Sequence, residues 1–199
     1  MKNTEKQIIE RINKAPGQTI FFTGDFRGLG SPEAIKVALH RIVKRNVVSR
    51  LARGIYTKPE FSKLLNTAVK PGVEAVAKAI AKRDMAKIIP TGSYALNAIG
   101  LSTQIPMNFV YLTDGEPRKI KVGEATITFK RTAPKNLSYK NSLCMLVVQA
   151  LKEIGNGKVN EAEKMKVTEL LKQVDYDELK HDIALAPQWI AEIMGKALP

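Results

Sequence analysis

SPEAIKVALHRIVKRNVVSRLARGIY, residues 31–56, sets a capped, basic, amphipathic helix directly before a short basic hairpin. Ser31 suits the N-cap, where its hydroxyl can accept from an otherwise free first-turn N–H, and Pro32 suits the first helical position, where its missing N–H costs nothing. Ile35, Ala38, Leu39, Ile42 and Val43 recur at helical spacing, while Lys36, His40, Arg41, Lys44 and Arg45 fill the other faces. Asn46 has the character of a left-handed C-terminal residue. Val47 to Leu51 then reads as a strand, Ala52-Arg53-Gly54 as a turn and Ile55 to Thr57 as the returning strand. No acidic residue occurs from Ala34 to Pro59.

Working outward, Thr4 to Lys14 carries Ile8, Ile9 and Ile12 on one face and stops at Ala15-Pro16-Gly17. Ile20-Phe21-Phe22 is a short apolar segment, and Thr23 to Gly30 has room for one or two helical turns. Three helices and a wing within residues 1–60 are the size of a winged helix-turn-helix. Residues 61–72 read as an ordered connector in which Leu64 and Leu65 want burial. Residues 73–199 read as a mixed α/β domain whose C-terminal part is helical. Its expected elements are a helix over Val73 to Ala86, a strand at Ile88-Ile89, a helix over Gly92 to Ile99 and a buried strand over Phe109 to Leu112. A hairpin of Arg118 to Val122 and Ala125 to Arg131 turns at Gly123-Glu124. Helices follow over Ser142 to Ile154, Glu161 to Val174, Tyr176 to Ala184 and Pro187 to Leu198. The expected class is α+β.

Charge narrows the partners. Lys plus Arg number 32 against 19 Asp plus Glu, a net charge of +13 over 199 residues, which favours a polyanion and says nothing of fold. Residues 152–199 depart from this and are mildly acidic. The single cysteine, Cys144, lies in the apolar run LCMLVV, where it reads as a small buried hydrophobe. It permits no intrachain disulfide and favours a reducing compartment. The N-terminus has no apolar block of signal-peptide type and no span is long enough for a membrane, so a cytoplasmic location is expected.

On the helix-and-hairpin reading, Ser31, Glu33, Lys36, Val37 and His40 face the major groove of double-stranded DNA, and Arg41, Lys44, Arg45 and Arg50 meet phosphates. Arg53 sits at the wing tip, where a narrow minor groove concentrates negative potential. The competing reading is a solvated basic helix followed by an ordinary hairpin. Agreement of cap, periodicity, turn and charge favours DNA. Lys119, Lys121 and Lys130 form a candidate second basic face, evenly balanced between DNA contact and solvation.

Other chemistries find less support. Gly24, Gly28 and Gly30 precede a helix, but without phosphate-loop spacing they read as turn residues. Gly92-Ser93 with Asp114 and Glu116 has the outline of a nucleotidyltransferase site, whose metals need paired carboxylates. Here Glu116 lies in a Gly-Glu-Pro turn and no third acid follows, so the enzyme stays as a rival reading. His40 and His181 are the only histidines, which leaves too few ligands for a metal site, and no hydrolase motif occurs. Trp189 reads as a core anchor. No catalytic residue, cofactor or metal is expected.

RLARGIYTKP after a basic helix, then PTGSYALNAIGLSTQIP, then VYLTDGEPRKIKVGEATITFKR, resembles the AbiEi-type antitoxins of bacterial type IV toxin–antitoxin systems, over about residues 1–135. The resemblance implies an N-terminal winged helix that binds operator DNA, such as inverted repeats, and represses its own operon. It implies a second domain needed to counteract a nucleotidyltransferase-like toxin. By position the DNA-contact region is Ser31 to Arg45 with the Arg50 to Gly54 wing, and no catalytic residues come with it. An orphan winged-helix regulator with a protein-binding second domain is the variant without a toxin.

Overall fold

The computed structural model describes residues 4–62 and 66–199. The expected burial of Leu64 and Leu65 lies outside the described residues. The chain is α+β and divides into two compact units, Met1–Ala79 with Lys121–Gly123 and Ile80–Ile120 with Glu124–Pro199.

The first unit opens with α1 (Thr4–Asn13) and β1 (Ile20–Phe22), followed by a 3-10 turn at Thr23–Phe26. Asp25 reaches back to accept the Phe22 N–H at 2.8 Å, which fixes the entry to that turn. Next come α2 (Pro32–Lys44), β2 (Ser49–Ala52) and β3 (Ile55–Thr57). The apolar faces meet in one core: Ile8 and Ile12 from α1, Phe21 and Phe26, and Ile35, Ala38, Leu39 and Ile42 from α2. Ser31 caps α2 as its side chain predicts, accepting the Ala34 N–H at 3.2 Å. Ser31→Ala should cost about 1 kcal/mol. A fall of a few degrees in the melting temperature of this unit would register it, and an unchanged melt would mean the cap is not used.

Two boundaries differ from expectation for one reason. Asn46 is left-handed, with φ 57°, so its N–H donates to the Val43 carbonyl and the Val47 N–H to the Ile42 carbonyl. This 6→1 and 5→2 pair of bonds draws Val47 and Val48 into the helix ending, with Val48 in the core, and the strand begins only at Ser49. In α3 (Val73–Arg83) the left-handed Met85, φ 52°, lets Ala86 N–H donate to Ala81 O. The helix therefore stops three residues short of the expected Ala86. The expected connector 61–72 takes part in an antiparallel ladder that starts one residue before it, β4 (Glu60–Ser62) with β5 (Thr67–Val69), on which Phe61 is 61% exposed.

Strands β6 (Ile88–Thr91), β7 (Asn108–Thr113), β8 (Arg118–Val122) and β9 (Ala125–Arg131) form a four-stranded sheet of order β6-β7-β9-β8, with β7 parallel to β9. Of the expected strand Phe109 to Leu112, only Tyr111 is fully buried, and its ring stacks on Phe129 with centroids 5.9 Å apart. Gly123, φ 60°, makes the β8–β9 turn. A short helix α4 (Ser93–Ala98) joins α5 (Ser142–Ile154), α6 (Glu161–Leu171), α7 (Tyr176–Leu185) and α8 (Gln188–Gly195) around a second core. Cys144 is buried there, and Trp189 packs partly buried against it. Among the described residues no helix is long and apolar enough to cross a membrane.

Candidate nucleic-acid interface

An α-helix turns about 100° per residue, so positions spaced four, three and four apart share one side. On α2 those positions are Glu33, Val37, His40 and Lys44, with Lys36 adjoining, and all five are exposed. They lie opposite the buried stripe of Ile35, Ala38, Leu39 and Ile42. Ser31, Arg41, Arg45, Arg50 and Arg53 are exposed as well, so every residue of the sequence-based interface reaches solvent.

The structure divides the cations into two groups. Arg41 and Arg45 lie toward α1, where Glu5 receives both: Arg41 Nη1 stands 3.8 Å from Glu5 Oε2, and Arg45 pairs with Oε1. The Glu5 side chain is only 18% accessible, so it is the held member of this triad. No sequence pattern announces Glu5, because the pairing follows from how α1 packs on α2. Lys36, Lys44 and Arg53 form no ion pair among the described residues and stand exposed to solvent.

The hairpin that follows is anchored to the rest of its sheet. Strand order β1-β3-β2 places β3 centrally, with Phe22 opposite Ile55 and the Thr23 N–H donating to the Gly54 carbonyl at 3.1 Å. Gly54 has φ 73°, and a Cβ there would stand 3.3 Å from the Thr23 hydroxyl, so glycine is the residue that fits this turn without strain. The register shifts between Arg50 and Ala52, a bulge that twists the strand as it nears the turn. Arg50 Nε donates to the Ala52 carbonyl at 3.4 Å, and Arg53 stands exposed at the tip.

The remaining candidate residues sit elsewhere. Lys119 and Lys121 on β8 and Lys130 on β9 are exposed, alternating with buried Val122, Ala125, Ile127 and Phe129. Asp114 Oδ1 accepts the Lys87 N–H at 2.8 Å, and Thr113 Oγ1 both donates to the Lys87 carbonyl and accepts the Gly115 N–H. Asp114 thus ties down the turn after β7, and Glu116 is exposed beside it. Among the described residues no group of three or more His, Cys, Asp or Glu is arranged to hold a metal ion.

Sequence reading did not find Asp182, the fully buried carboxylate of the second unit. From α7 it accepts the Lys140 N–H on Oδ1 and the Asn141 N–H on Oδ2, both at 2.9 Å, and His181 Nδ1 lies 2.8 Å from Oδ1. Burial, then the Asp182 charge, pushes the Cys144 thiol up to about 12, and the same two causes raise the Tyr139 phenol to about 12. A thiol so raised stays protonated at neutral pH and is a poor nucleophile. The cluster therefore ties α7 to the segment that leads into α5.

A model described as a family of unknown function, DUF6088, matches residues 7–179. No curated protein matches the chain.

Proposed function

The chain belongs to the DUF6088 family, and from that footing we propose that it is a sequence-specific DNA-binding transcriptional regulator whose first unit works as a winged helix-turn-helix. The observation that carries the reading is the set of exposed Lys36, His40 and Lys44 on one side of α2, followed at once by a braced hairpin with Arg53 at its tip. A helix of this width fits the major groove of double-stranded DNA, and cations along it and on the wing replace the counterions of the phosphates. Ser31 and Glu33 at the helix start, with Val37, lie where a recognition helix meets base edges.

The resemblance to AbiEi-type antitoxins extends the proposal to a repressor of its own operon, bound at inverted repeats in the cytoplasm. Its second unit would then counteract a nucleotidyltransferase-like toxin encoded beside it. Asp114 is occupied as a turn-bracing acceptor, which favours the regulator over the enzymatic alternative.

Selection from a random duplex library tests the core of this reading. An enriched motif should emerge, bound with an affinity that falls linearly with salt on a log–log plot. An unenriched pool, or binding indifferent to salt, would overturn it.

The Glu5 triad sharpens the expectation. A carboxylate held against Arg41 and Arg45 competes with phosphate for them, so Glu5→Gln should raise affinity for duplex DNA severalfold at low salt. Because both arginines are more than half accessible, the ion pairs contribute no more than about 1 kcal/mol to stability. Fluorescence anisotropy and a thermal melt of the same variant check both halves. A loss of DNA affinity in a folded Glu5→Gln protein would show that Glu5 orients these arginines for binding.

A further inference from the structure

We infer that Val37 is a specificity-determining residue that reads the C5-methyl group of a thymine in the major groove. The inference rests on the DNA-binding reading and deepens it.

Apart from Pro32 at the helix start, Val37 is the exposed apolar residue of α2, at 50% accessibility. It does not stand at the margin of the buried stripe. Glu33 precedes it by four positions, His40 follows by three and Lys44 by seven, so it lies in the middle of the polar, cationic side. A β-branched residue lowers helix propensity, and here the side chain lies outside the buried stripe of α2, half open to solvent.

What valine offers is a fixed apolar shape. In a helix its χ1 is held in essentially one rotamer, so its two methyl groups point in a set direction before any partner arrives. In the major groove the feature that matches is the thymine methyl, which marks an A·T pair and distinguishes its orientation, while guanine, cytosine and adenine offer only hydrogen-bonding groups there. Lys36, His40 and Lys44 hold the helix to the polyanion around it, and Val37 would contribute selectivity and little net attraction.

The experiment uses the full chain and duplexes from the random-library selection. Each thymine is replaced in turn by deoxyuridine, which removes only the methyl group. For the wild type, affinity should drop about fourfold at one thymine of each bound half-site, the worth of one buried methyl group. Val37→Ala should bind the parent duplex about fourfold more weakly and lose nothing further at that thymine. Alanine raises helix propensity, so the variant keeps α2. Equal sensitivity of wild type and Val37→Ala at every position, or no sensitive thymine in the wild type, overturns the assignment while leaving DNA binding in place. A selection that enriches no motif overturns the DNA reading itself, and this inference with it.

Discussion

Asp182→Ala should destabilise the second unit by about 3–5 kcal/mol, the largest loss expected from any single substitution in this chain. The wild-type carboxylate is fully buried and accepts the backbone N–H groups of Lys140 and Asn141, the two residues that lead into α5. Alanine leaves both of these partly buried N–H groups without their charged acceptor. The neighbouring cap does not compensate: Asn141 Oδ1 already accepts the Leu143 N–H, and Asn141 Nδ2 donates to Glu178. A domain has only about 5–15 kcal/mol in hand, so a loss of this size removes a large share of it. Denaturant unfolding followed by fluorescence measures this directly, because Trp189, the single tryptophan, packs against the second core. Asp182→Asn keeps the shape and should lose less. An Asp182→Ala midpoint equal to wild type would mean that these hydrogen bonds carry no net stability.

The second large effect concerns DNA. Lys44→Ala combined with Arg53→Ala should lower affinity for the selected duplex about a hundredfold at low salt and flatten the log–log salt dependence by about two. Lys44 lies on the helix and Arg53 on the turn, so the pair tests both halves of the proposed grip. Neither makes an ion pair among the described residues, so their removal leaves intact the α1–α2 contact that Arg41 and Arg45 make through Glu5. An unchanged melting temperature with the weaker binding locates the loss in the interface. Full affinity in the double variant would remove α2 and the hairpin from the site.

What the sequence disclosed follows how local each cause is. Ser31 with Pro32, the apolar repeat through Ile42, left-handed Asn46 and the Gly123 turn act over a few residues, and the elements they predict are present. Val47 and Val48 misled because their composition suits a strand, whereas the left-handed residue before them recruits both into the helix ending. Pairing between distant segments was not legible. Three residues, Ile20–Phe22, do not reveal that they will border β3, and the order of β6 to β9 does not reveal that β7 will lie parallel to β9 with β8 pushed to the edge. In the candidate interface, exposure of the cationic positions could be read from periodicity. The capture of Arg41 and Arg45 by Glu5 could not, since it depends on tertiary packing. Asp182 escaped for the same reason: an acid in an ordinary helical stretch gives no sign that it will hold the segment leading into another helix.

The central claim is that α2 and the β2–β3 turn form the surface that meets DNA. Titrating the isotope-labelled chain with the selected duplex, and following backbone amide resonances, tests it most directly. The resonances of Lys36, Val37, His40, Lys44 and Arg53 should shift first and furthest, while those of α5 to α8 stay in place. Shifts concentrated on the helices of the second unit, with α2 silent, would contradict it.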